Sequence, residues 1–141
     1  MDHIFDLLAV LRAAQVSHQH AHWTAKGDCF YGDHLLFGQL YEAITDEFDT
    51  LAEKAVHLYG VDAVDPCKQL AAMLDCVKSW ERTKGLVPRA ILVERSIQAA
   101  VKHSRDELLS DKKCPLGLDN FLAQLADNHD KAAYLLGRRN E

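Results

Sequence analysis

No CxxC pair, no Glu-x-x-His pair, no glycine-rich phosphate loop and no GxSxG turn occurs in this chain. Nucleotide chemistry of the P-loop or dinucleotide-binding kind, and serine-type hydrolysis, are therefore not expected. The four cysteines, Cys29, Cys67, Cys76 and Cys114, are too scattered for a zinc knuckle or a thioredoxin motif. In a reducing compartment they are expected to be small buried hydrophobes. Without a Glu-x-x-His pair, a di-iron centre inside a single helical bundle is not expected either, although Glu94 interrupts an apolar stripe. No apolar run is long enough to cross a membrane. The first residues carry Asp2 and Asp6 where a secretory leader is basic, so the expected location is the cytoplasm. Positive charge is also short: sixteen Lys and Arg stand against twenty-one Asp and Glu, and the net charge of −5 has the wrong sign for a nucleic-acid surface.

What is present is helix. At 141 residues, 48% apolar and 26% charged, the chain has the length and balance of one domain covering residues 1–141. Ile4, Leu8, Leu11, Ala14, His18 and Ala21 recur at turn spacing and predict a first helix from Asp2 to Thr24, ended by Lys26-Gly27-Asp28. A second, about seven turns long, is expected from Tyr31 or Gly32 to Tyr59, before Gly60. Pro66 leads into a short helical segment, Pro88 opens a third long helix reaching Ser110, and Pro115 precedes a last one from Leu118 to Gly137. The fold expected is all-α, a ferritin-like four-helix bundle with a short extra helix in the crossover between helices 2 and 3. On the last helix His129 lies on the inward face and is expected to be a satisfied core histidine.

Histidines and carboxylates crowd the stretch from His18 to His57. His18 and His22 are four apart, as are Asp49 and Glu53, and His57 follows Glu53 by four, so each group stacks along one side of a helix. Imidazoles with carboxylates suit iron or zinc. On a wheel of about 100° per residue, Leu40, Ile44, Phe48, Leu51, Ala55 and Leu58 form the apolar stripe of the second helix. Asp49 and Glu53 fall roughly opposite, on a face shared with Leu35, Gly38, Ala52 and Val56. That mixed face suggests contact with another subunit, and a metal site here would draw ligands from two chains.

The run His22-Trp23, Lys26-Gly27, Phe30, His34, Asp49 and Leu51-Ala52-Glu53-Lys54 resembles the signature of the Dps family, the dodecameric miniferritins. The resemblance implies ferroxidase sites at twofold interfaces, oxidation of Fe(II) by hydrogen peroxide, and storage of Fe(III) in a hollow homo-oligomer. Carried over by position, it makes His22 and His34 ligands from one chain, and Asp49 and Glu53 ligands from its neighbour. The family's bridging aspartate corresponds to Gly38, which has no side chain to give; His18, Glu42 and His57 are candidates to compensate. A site so weighted toward histidine also suits zinc. The alternative reading is a non-catalytic Dps-like cage with structural or zinc-type metal binding. Family members that bind DNA commonly use a lysine-rich tail; here the first helix starts almost at once, so DNA binding through the N-terminus is expected to be weak or absent.

Overall fold

The computed structural model describes residues 1–141 as helices and short connections, with no strand. In chain order these are α1 (Asp2–Thr24), α2 (Phe30–Tyr59), a 3₁₀ turn (Val61–Val64), α3 (Pro66–Trp80), α4 (Leu86–Ser110) and α5 (Leu116–Arg139). The expected all-α bundle with a crossover helix is what the chain forms. Local chemistry sets its punctuation. Gly27 and Gly60 take φ of 87° and 85° at the ends of α1 and α2, a region that a side chain disfavours. Asp65 caps α3 by accepting from the Lys68 backbone N–H at 2.8 Å, with Pro66 in the first helical turn. Helices α4 and α5 begin two residues earlier than the periodicity suggests, at Leu86 and Leu116.

The four long helices make the bundle. Helix α1 packs against α2 and α4, α4 packs against α5, and α3 lies along the outside of α1. Helices α2 and α5 meet only sparsely, and a groove runs between them. Of α3 only Trp80 is buried, its indole N–H donating to Ser96 Oγ at 3.1 Å, while Leu70 and Leu74 stay exposed. The apolar interior comes in two parts. The larger includes Leu7, Leu8, Leu11, Ile44, Leu51, Ile97, Leu122 and Leu125. The smaller includes Ala21, Phe37, Leu40, Ala90, Ala132 and Leu136.

The cysteines depart from expectation, since none of the four is buried. Cys29 stands in the connection between α1 and α2, and Cys67 in the first turn of the outlying α3, so neither position reaches the bundle interior.

Candidate metal centre

His22, in the last turn of α1, and His34, in the second turn of α2, flank the short connection that turns α1 back along α2. Their rings stack with centroids 3.8 Å apart and planes inclined by 18°. Each ring is fixed by the other residue's backbone: His22 Nδ1 lies 2.6 Å from the His34 carbonyl oxygen, and His34 Nδ1 lies 2.9 Å from the His22 carbonyl oxygen. A carbonyl only accepts, so both Nδ1 atoms carry the hydrogen and donate it. In the neutral rings the lone pair is left on Nε2, the atom a metal ion would need, with the ring held in one tautomer. Phe30 stacks with His34 at 5.3 Å and Tyr41 meets His22 edge-on at 5.4 Å, so four rings are in contact here.

Gly38 belongs to the same arrangement. A Cβ at that position would stand 3.2 Å from both Cε1 and Nδ1 of His22, tighter than ordinary van der Waals contact. The residue that contributes no ligand is also the one that lets the His22 ring lie against α2. Beside it, buried Asp33 receives both Nε and a terminal nitrogen of Arg139 at 2.6 and 2.9 Å. This fork ties the start of α2 to the end of α5, and the paired carboxylate raises the Arg139 pKa.

The other expected ligands do not join this pair within one chain. Asp49 and Glu53 are exposed, fifteen and nineteen residues beyond His34 on the same helix, about 22 and 28 Å away at the α-helical rise. Glu53 and His57 line a groove of about 320 Å³ with Lys54, Leu58, Pro115, Gly117 and Leu118. Glu42 is exposed, eight residues past His34, which is about 12 Å along the axis. His18 faces elsewhere: it is buried, with Nε2 2.7 Å from Glu94 Oε1.

That contact opens a polar cluster which the hydrophobic pattern conceals. His18 on α1, Glu47 on α2, Glu94 on α4 and His129 on α5 are 1%, 9%, 0% and 3% exposed, one from each helix of the bundle. Glu94 Oε2 accepts from His129 Nδ1 at 2.6 Å, and Glu47 Oε2 accepts from His129 Nε2 at 3.0 Å. Asn128 Nδ2 donates to Glu47 Oε1 at 2.9 Å. With both ring nitrogens donating to carboxylates, His129 is an imidazolium. Burial pushes its pKa down, but hydrogen bonds to Glu47 and Glu94 outweigh that and raise it to about 9. Burial likewise pushes Glu94 up, and the hydrogen bonds from His129 and His18 bring it down to about 2. The core-histidine reading of His129 is correct in place and satisfaction, while Glu47 escapes notice because an apolar wheel records only what is apolar. The signal available is its spacing: Leu40, Ile44, Glu47 and Leu51 are successive positions of one stripe.

No family model matches the chain. It is 26% identical over 121 residues to a low temperature-induced protein of Nostoc sp. and to its homolog in Anabaena variabilis, a match covering 82% of this chain and 65% of theirs. The chain thus spans just under two thirds of the length of these relatives. Among solved structures, Dps from Thermosynechococcus elongatus superposes with a TM-score of 0.81 at 19% identity, over 99% of this chain and 90% of that one. Dps from Vibrio cholerae, described as a member of a broad superfamily of ferritin-like diiron-carboxylate proteins, gives 0.81 at 16%, over 99% and 87%. Dps from Microbacterium arborescens in its high iron form gives 0.78 at 19%, over 99% and 91%. The chain therefore has the ferritin-like helical fold of the Dps proteins.

Proposed function

We propose that this protein is a Dps-type miniferritin, which oxidises Fe(II) with hydrogen peroxide at sites shared by two subunits and stores Fe(III) within a hollow homo-oligomer, a dodecamer, in the cytoplasm. The observation that carries the reading is the reciprocal His22–His34 pair, which leaves the Nε2 lone pairs of two half-buried rings free, with no third ligating side chain of the same chain gathered to them. Asp49 and Glu53 supply carboxylates on the same helix, about 22 Å or more away. An antiparallel second α2 that sets residue 51 opposite residue 34 brings Asp49 and Glu53 of the partner subunit to the histidine pair. The twofold axis then passes between residues 42 and 43, and the operation makes two identical sites.

This register also sorts the residues offered in place of the bridging aspartate. Glu42 lies near the axis and faces its own copy, about 12 Å from His34. His57 of the partner subunit follows its Glu53 by one turn and falls opposite the connection before α2. His18 is engaged with Glu94. His57 is thus the residue best placed to complete the donor set.

Two imidazoles and two carboxylates fit Fe(II) and, equally, Zn(II). As substrate, two Fe(II) ions give one electron each to one peroxide. Its O–O bond breaks, and with two waters the products are two FeOOH units and four protons. Delivering both electrons together avoids release of hydroxyl radical. Gly38 favours the second reading, a cage whose metal is structural, because it removes one carboxylate from the set.

Mixing subunits tests the proposal. A chain with His22→Ala and His34→Ala and a chain with Asp49→Ala and Glu53→Ala should each oxidise Fe(II) no faster than buffer as pure assemblies. Mixed by co-refolding they should recover activity, because some interfaces then unite the intact halves. Absence of recovery in mixed cages would remove the shared site, and a wild-type cage that binds Zn(II) without oxidising iron would favour the second reading.

A further inference from the structure

The shared site of the proposed function draws two imidazoles from one chain and two carboxylates from another, and Gly38 gives it no carboxylate to bridge a second ion. Breaking the O–O bond of peroxide without releasing hydroxyl radical takes two electrons, and a single Fe(II) gives one. We infer, resting on that shared site, that Tyr41 is the second electron donor, a one-electron relay that lets a site holding one iron at a time reduce peroxide completely.

Tyr41 meets His22 directly. The two rings are set edge to face, with centroids 5.4 Å apart and planes inclined by 65°. His22 Nδ1 is committed to the His34 carbonyl at 2.6 Å, so the atom left for iron is Nε2 of the same ring that Tyr41 touches. The other rings nearby lack either the contact or the chemistry. Phe30 stacks with His34 but carries no hydroxyl from which a hydrogen atom could be lost. Trp23 is exposed and, one residue past His22, is turned about 100° from it around α1. Tyr31 and Tyr134 are exposed, and Tyr59 is the last residue of α2.

The step balances in electrons and protons. One Fe(II) and the Tyr41 phenol each give one electron to one peroxide. The O–O bond breaks, and the two oxygens leave as two waters, with one added proton from the phenol and one from solvent. The products are Fe(III), a neutral tyrosyl radical and the two waters. Tyr41 is half-buried, so water reaches the residue and carries the phenol proton away. The next Fe(II) to occupy the site gives one electron to the radical, which takes a proton back from solvent. Over a full cycle two Fe(II) are consumed per peroxide, in sequence rather than together.

The test follows the radical and not only the rate. The full-length assembly is loaded anaerobically with one Fe(II) per chain, pulsed with one peroxide per iron and frozen rapidly for electron paramagnetic resonance. The expected signal is a tyrosyl radical, narrowed when the protein is made with ring-deuterated tyrosine, with little hydroxyl adduct on a spin trap. A second equivalent of Fe(II) should erase it. Tyr41→Phe keeps the edge-on ring, and its melting temperature should stay close to the parent's. It should nevertheless lose the radical and raise the hydroxyl adduct several-fold. Fe(III) formed without a tyrosyl radical, or a radical signal or adduct level unchanged in Tyr41→Phe, overturns the role of Tyr41 and leaves the shared site standing. No peroxide-dependent Fe(III) in the parent assembly removes the shared site and this role with it.

Discussion

His22 and His34 hold each other: each Nδ1 donates to the other's backbone carbonyl, at 2.6 and 2.9 Å, and the two rings stack at 3.8 Å. The pair can form because position 38 has no side chain, a Cβ there standing 3.2 Å from the His22 ring. Gly38→Ala therefore separates stability from metal binding. In a helix interior alanine is favoured over glycine by about 0.5–1 kcal/mol, and the displaced ring forfeits some of that gain. The expected outcome is a melting temperature within a few degrees of the parent together with slower Fe(II) oxidation and weaker Zn(II) binding. Unchanged metal affinity, measured by calorimetry, would show that the ring does not need that space.

Arg139 acts on the same pair from a distance. Its fork to buried Asp33 pins the first turn of α2, the residue next to His34. Arg139→Lys keeps the charge and loses the two-point contact. Because the arginine side chain is 38% exposed, the stability change should be modest, about 1 kcal/mol or less by urea unfolding. The larger effect is expected on metal affinity at the surface site, since His34 loses its fixed starting point. Equal affinity in the two proteins would make the fork a purely structural tie.

The buried cluster predicts the pH profile of stability. His129 has a folded pKa of about 9 against an ordinary 6.5, so its contribution is complete below about pH 6.5 and fades as pH rises through 9. Glu94 has a folded pKa of about 2 against 4.5, so its contribution is complete above pH 4.5 and fades as pH falls toward 2. Stability of the metal-free protein should peak between about pH 4.5 and 6.5 and decline toward alkaline pH well before lysines titrate. Thermal melts at closely spaced pH values check this. A flat profile from pH 6.5 to 9 would mean that His129 is not held as an imidazolium.

How far the sequence carries can be judged residue by residue. The bounds of α1 are readable because apolar spacing and Gly27 agree, and Gly60 ends α2 for the same reason. The pairing of His22 with His34 follows from a short connection between two helices, yet the ring-to-backbone bonds that fix both tautomers are not encoded in spacing. Asp33 reads as an acidic residue in a first helical turn, and only the close approach of the end of α5 makes it the buried half of an ion pair. Glu94 reads as an interruption of an apolar stripe and Glu47 is passed over, because their partners lie on other helices, 76 residues away for the contact of Glu94 to His18 and 82 for that of Glu47 to His129. The cysteines mislead for a different reason: their chemistry suits a core, but positions 29 and 67 never enter one.

The same cluster separates what is needed from what is merely present. Glu94→Ala removes the acceptor of both His18 and His129 and leaves two buried N–H groups without a partner, with Glu47 alone remaining as the counter-charge of the His129 imidazolium. Breaking a buried pair from one side costs about 3–5 kcal/mol. Replacing His18, Glu94 and His129 together with leucine removes the donors along with the acceptor. Glu47, the least buried member, keeps Asn128 as a donor beside the groove and regains water. Such whole replacement of buried charge by apolar side chains of similar volume is often neutral, or stabilising by about 1–4 kcal/mol. The expected order of urea midpoints is triple-leucine protein at or above the parent, with Glu94→Ala well below both. If the triple variant instead falls as far as Glu94→Ala, the network is required for the fold itself. If it is as stable as the parent, the fold does not require the network of His18, Glu94 and His129.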